Sequence, residues 1–152
     1  MTPAETFAVC GFYLQPGQFS TQNFETLSNG GQLFALLKPV FYLSKDGRLF
    51  QLPHGAQSDG ISAPAICAAV GREHGGNDWA AGWLHDCAYR FSLQIWDGSQ
   101  WVKWDASQGR SKPASDALLH EAALVCGDDE AMADALYWAV VEFGKRSYQL
   151  GA

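Results

Sequence analysis

Residues 77–91 read Asn-Asp-Trp-Ala-Ala-Gly-Trp-Leu-His-Asp-Cys-Ala-Tyr-Arg-Phe. Asn77 is a favourable N-cap, and Trp79, Trp83, Leu84, Cys87 and Phe91 recur at the spacing of one buried helical stripe. The stretch predicts a helix over 78–91. On that helix His85 and Tyr89 fall one turn apart on the same face, with Asp86 about 100° round the axis from His85 and three residues from Tyr89. Three polar side chains on an otherwise apolar helix make the leading candidate for a working site.

Toward the C-terminus, Ile95-Trp96-Asp97-Gly98-Ser99-Gln100-Trp101-Val102-Lys103-Trp104 places two aromatic stretches around an Asp-Gly turn, which predicts a small projecting hairpin. Pro113 then marks a helix start and Gly127 its end, after Leu118, Leu119, Ala122, Ala123 and Val125. Asp128 is placed to cap a last helix, with Glu130 near its start and Lys145 and Arg146 near its end, as the helix dipole favours. Toward the N-terminus, 53–76 is a Gly-, Pro- and Ser-rich loop in which Ser62 and Pro64 can open a short helix. Before it, 33–52 alternates around Lys45-Asp46-Gly47 as a β-hairpin, with Pro39 calling for an edge position or a bulge. Residues 1–32 read as an N-terminal extension or extra strand. The expectation is a single α+β domain over 33–152, with a small antiparallel sheet, hairpins and about three main α-helices.

With 152 residues, 47% of them apolar and 17% charged, the chain has the material for one buried core and lacks the composition of a disordered segment. A net charge of −6, with no local run of Lys or Arg, argues against nucleic acid as a partner. The four cysteines, Cys10, Cys67, Cys87 and Cys126, form no CxxC pair and read as small buried apolar residues, with disulfides the weaker alternative. No run of about 18 apolar residues predicts a transmembrane segment, and residues 1–12 lack a signal-peptide pattern. The product is expected to stay in the cytoplasm where it is made, unless another machine or a virion carries it out.

Several residues can carry chemistry. A histidine beside a carboxylate can serve as a general base, and Asp86 can hold a divalent cation, calcium or zinc, through oxygen. In Asp59-Gly60-Ile61-Ser62-Ala63-Pro64, Asp59 is a further metal ligand or an orienting group for His85, and Ser62 a binding hydroxyl; the alternative is an Asx-turn with Ser62 as a cap. Asp116 and His120 sit one turn apart on the next helix, so Asp116 can meet His85 if the two helices pack together. Otherwise Asp116 is a first-turn carboxylate and His120 a surface residue. Trp96, Trp101 and Trp104 either form a binding surface on the hairpin or fold back onto the core.

These stretches together resemble a family widespread in phages and prophages and known only as a domain of unknown function. The matching stretches are Leu52-Pro53-His54-Gly55-Ala56, then Asp59-Gly60-Ile61-Ser62-Ala63-Pro64, then His85-Asp86-Cys87-Ala88-Tyr89-Arg90, and later Arg110, Ser115-Asp116, Tyr137 and Phe143-Gly144. Ala56 and Ser115 depart from the family pattern, and 92–109 looks like an insertion. The resemblance implies that Asp59, Ser62, His85, Asp86, Tyr89 and Asp116 act as a connected set, and it names no activity. Trp83-Leu84-His85-Asp86-Cys87-Ala88-Tyr89 is also similar to the helix motif of secreted phospholipases A2, in which the histidine activates water and the aspartate holds calcium. Two functions are therefore expected in competition: a small metal-assisted hydrolase centred on His85 and Asp86, or a non-enzymatic phage structural protein or inhibitor that binds a host protein.

Overall fold

The structure, a computed structural model, describes residues 10–13, 24–26, 34–58, 79–145 and 147–149. It is α+β, as the sequence predicts. In chain order the strands are β1 (Gly11–Tyr13), β2 (Phe24–Thr26), β3 (Phe34–Leu36), β4 (Val40–Leu43), β5 (Leu49–Leu52) and β6 (Gln57–Ser58). Helix α1 (Trp79–Tyr89) follows, then β7 (Gln94–Trp96), β8 (Trp101–Lys103), and the helices α2 (Lys112–Val125) and α3 (Glu130–Phe143). The described strands form two antiparallel sheets, one in the order β1-β4-β5-β7-β8 and a smaller one in the order β2-β3-β6.

The apolar run 33–43 does not make one strand. It divides at Pro39 into β3 and β4, which belong to different sheets. Proline has no N–H to give a ladder, so the chain leaves one sheet there and enters the other. The hairpin β4–β5 turns through Ser44–Arg48 with Gly47 at φ 84°, where a side chain is strained and glycine is not. Its register pairs Val40 with Leu52 and Tyr42 with Phe50, all buried, so one face of the sheet is apolar and points to the core.

The aromatic hairpin is an integral part of this sheet and not a projection. β7 pairs with β5 through Phe50↔Ile95 and Gln51↔Gln94, and β8 is then an outer strand. Asp97 accepts hydrogen bonds from the N–H groups of Ser99 and Gln100, both at 2.8 Å, and Gly98 at φ 106° closes the turn. Trp104, just past β8, is 0% exposed and meets the Phe50 ring edge-on at 5.2 Å. Its indole N–H donates to the carbonyl of Gln108 at 2.9 Å, which meets the need for a partner that a buried indole brings.

Helix α1 is buried on every side that is described, not along a single stripe: residues 80–89 are all buried. It packs against α2 and against β6, while α2 packs against α3. Its C-terminus is set by Phe91, which takes φ 58° while Ser92 N–H reaches back to the carbonyl of Cys87 at 3.0 Å. That is the left-handed stop usually given to glycine. The guanidinium of Arg110, 4.6 Å from the Phe91 ring centroid, holds the unusual residue in place. Ser111 caps α2 by accepting from Ala114 N–H, with Pro113 in the first turn where its missing N–H costs nothing. The cap of α3 is Asp129, one residue after the expected Asp128. Of the cysteines, Cys87 is buried and Cys10 and Cys126 partly so, whereas Cys67 lies outside the described residues. No described helix is long and apolar enough to cross a membrane.

Candidate functional site

Packing α1 against α2 brings the N-terminal part of α2, just past its first turn, beneath His85 and Tyr89. Asp116, 1% exposed, receives three donors there. Its Oδ1 accepts from His85 Nε2 at 2.9 Å and from the Tyr89 hydroxyl at 2.5 Å, and its Oδ2 accepts from Lys112 Nζ at 2.8 Å. The rings of His85 and Tyr89 lie against each other with centroids 4.0 Å apart, as their one-turn spacing allows. Lys112 also donates to the carbonyl of Val140 at 3.0 Å, so one ammonium joins Asp116 to the last turn of α3.

The protonation states follow from this arrangement. Burial would push the Asp116 carboxyl up, but the hydrogen bonds from His85, Lys112 and Tyr89 outweigh it and hold the group below the ordinary carboxylate range. Asp116 is therefore ionised and can only accept. Burial pushes the His85 imidazole down, against the pull of Asp116, so the ring is neutral at pH 7. A neutral ring that donates through Nε2 carries its lone pair on Nδ1. Tyr89 is raised, first by its burial and then by Asp116, and remains a phenol donor.

Asp86 points elsewhere. Its Oδ2 accepts from Ser58 Oγ at 2.7 Å, a contact that joins α1 to the smaller sheet through β6. Asp86 is 6% exposed, and among the described residues no group of three or more His, Cys, Asp or Glu side chains could hold a metal ion. Asp59 and Ser62, the other expected members of the set, lie outside the described residues. His120 does not join the centre; it turns to α3 and meets Asp134 at 2.7 Å. His54 lies exposed on the loop after β5, its Nδ1 2.8 Å from the Leu37 carbonyl.

Of the hairpin tryptophans, Trp104 belongs to the core and is withdrawn from any binding surface. Trp96 and Trp101 are half-buried cross-strand partners, 5.3 Å apart, on the sheet face opposite Phe50 and Ile95, where Trp101 also meets Phe41 at 5.7 Å. Sequence reasoning passed over Lys112 and Ser58. The first had a readable signal, a cation four residues before Asp116 on one helix; the second, in a two-residue strand, had none.

The family described as "Protein of unknown function (DUF1353)" matches residues 34–140, a span that contains every residue of this centre. The chain belongs to the DUF1353 family. No curated protein and no solved structure matches it. The family resemblance expected from the motifs thus holds at the level of a domain of unknown function, and membership assigns no reaction to the chain.

Proposed function

We propose that this DUF1353 protein is a hydrolase in which His85 is the general base, acting through Nδ1 and oriented by Asp116. The observation that carries the reading is the 2.9 Å contact between His85 Nε2 and the buried, ionised Asp116. It fixes the tautomer, leaves Nδ1 as the basic atom, and provides a carboxylate to stabilise the imidazolium once a proton is taken. In the reaction, Nδ1 takes a proton from water and the resulting hydroxide adds to the carbonyl carbon of an ester or amide. The imidazolium then returns the proton to the leaving oxygen or nitrogen as the carbon–heteroatom bond breaks. Lys112 keeps Asp116 charged throughout, and Tyr89 holds its Oδ1 in place. The local His-Asp-x-x-Tyr resemblance implies the same role for the histidine.

A divalent cation at Asp86 was the expected partner of this chemistry. The described residues do not supply its ligand set, and Asp86 Oδ2 accepts from Ser58. Lipid or cell-wall esters and amides are the proposed substrates, with the cytoplasm of a bacterial host or a virion as the place of action. A net charge of −6 speaks against nucleic acid. The test is turnover of a panel of carboxylic esters and amides by the wild type and by His85→Ala. Loss of about 10²–10⁴-fold is expected of a missing general base. Equal rates in the two proteins would remove the proposal.

A second reading is favoured by the Trp96–Trp101 pair: a phage structural protein or host-factor inhibitor that presents this sheet face to a protein partner. Deleting 94–105 would remove two strands of the main sheet and a core tryptophan, so the fair test is Trp96→Ala with Trp101→Ala. Partner capture from a phage-infected lysate should be lost in that variant and kept in His85→Ala. The reverse pattern would count against this reading.

A further inference from the structure

Tyr89 is held from its far side by the end of the chain. Gln149 N–H donates to the Tyr89 carbonyl at 2.9 Å, and the half-buried Tyr148 ring meets the Tyr89 ring edge-on at 5.3 Å. Arg110, 6% exposed, ties the same pieces together. Its guanidinium donates to the Ala88 carbonyl at 3.0 Å and 2.9 Å, to the Tyr89 carbonyl at 3.3 Å and to the Gln149 carbonyl at 2.5 Å, and it lies 4.5 Å from the Tyr148 ring centroid. The orphan carbonyls at the end of α1 are thus satisfied by an arginine that also grips the segment after α3.

We infer that Arg110 and Tyr148 are positioning residues for the His85–Asp116 centre, the 147–149 segment acting as a strap that keeps the Tyr89 hydroxyl on Asp116. Neither touches His85 or Asp116; both act through Tyr89. The inference rests on the hydrolase reading for its functional meaning, but the geometry it concerns can be measured without any substrate.

Without the strap, Tyr89 loses the ring and the backbone donor that fix it, and Asp116 Oδ1 keeps only His85 as a partner. Two effects then act on His85 in the same direction. The carboxylate, relieved of one donor, draws the imidazole proton more strongly, and water gains access to a ring whose burial disfavours the charged form. Among the described residues the groups facing His85 are Asp116, Lys112 and Tyr89, and residues 147–149 bring no charged side chain to them.

The experiment reads the ring nitrogens of His85 by NMR in ¹⁵N-histidine-labelled protein, assigned with His85→Gln, for the wild type, Tyr148→Ala and Tyr148→Phe. Tyr148→Ala should move the His85 resonances and shift their titration upward in pH. Tyr148→Phe, which keeps the ring contact, should superimpose on the wild type. Unchanged His85 resonances in Tyr148→Ala, or equal changes in both variants, would overturn the inference. Because Tyr148 is half-buried, its loss can be read even if Arg110→Ala fails to fold. Absence of turnover in the wild type would end the hydrolase reading while leaving this positioning result standing.

Discussion

The hydroxyl of Tyr89 occupies the space that a side chain at Gly144 would need. A Cβ built on Gly144 would lie 2.7 Å from that hydroxyl and 2.5 Å from the carbonyl of Val140, both closer than van der Waals contact allows. Gly144 has an ordinary φ of −85°, so the requirement is room and not backbone freedom. Gly144→Ala should therefore push Tyr89 off Asp116 and cost about 1–3 kcal/mol, the usual range for overpacking. Tyr89→Phe in the same chain should recover part of the loss by removing the oxygen in the way. Chemical denaturation of the two single variants and the double variant measures this, and strictly additive losses would show that the two positions do not meet.

The burial of His85 gives stability a defined pH dependence. Its folded-state pKa lies below the ordinary value of 6.5, mainly because burial disfavours the charge, so below that pH the unfolded chain binds more protons than the folded one. Stability is then lost as pH falls from about 6.5 toward the lower folded value. Asp116 works the same way at more acid pH, from 3.8 downward, because its folded pKa is also depressed. The melting temperature of the wild type minus that of His85→Gln should thus decrease between pH 8 and pH 5. A constant difference would mean that His85 is not buried as a neutral ring.

Much of the fold could be read from local patterns, and what could not be read was long-range. The turns at Gly47 and Gly98, the start of α2 marked by Pro113 and its end at Gly127 are decided by residues within one turn of each other. Pairing of β7 with β5 joins Ile95 to Phe50 and leaves no local mark, which is why the hairpin reads as a projection. Trp104 has the same problem: its neighbours in sequence are polar, and its burial comes from Phe50. At the site, Asp116 could be named because it lies near the start of the next helix, where packing on α1 brings it to His85, but the pairing of Asp116 with His120 that suggested it does not occur, since His120 turns to Asp134. The strap from Tyr148 and Gln149 joins residues about sixty positions from Tyr89 and could only come from coordinates.

Asp116 and Lys112 should be strongly coupled. Asp116→Asn keeps an acceptor for His85 and Tyr89 but turns its amide N–H₂ toward the Lys112 ammonium, which is left without its charge partner. A loss of about 1–3 kcal/mol is expected, the cost of stranding a largely buried group. In Asp116→Asn with Lys112→Met the stranded charge is gone, so the double variant should be more stable than the sum of the singles by about 0.5–3 kcal/mol. A coupling near zero from urea melts would mean that solvent already screens the pair.

Trp104 and Trp101 stand three residues apart, yet opposite consequences are expected of them. Trp104 is 0% exposed, packs on Phe50 and donates its indole N–H to the carbonyl of Gln108, so Trp104→Ala leaves a large cavity beside Phe50. Its cost should be about 3–5 kcal/mol, enough to unfold a domain of marginal stability near body temperature. Trp101 is half-buried on the outer face, where Trp101→Ala removes two aromatic pairs, with Trp96 and with Phe41, each worth about 0.5–1.5 kcal/mol, and the space can be refilled by water. Urea midpoints at constant m-value separate the two. Similar losses would place both rings in the core, and would take the outer face of the sheet away from any partner.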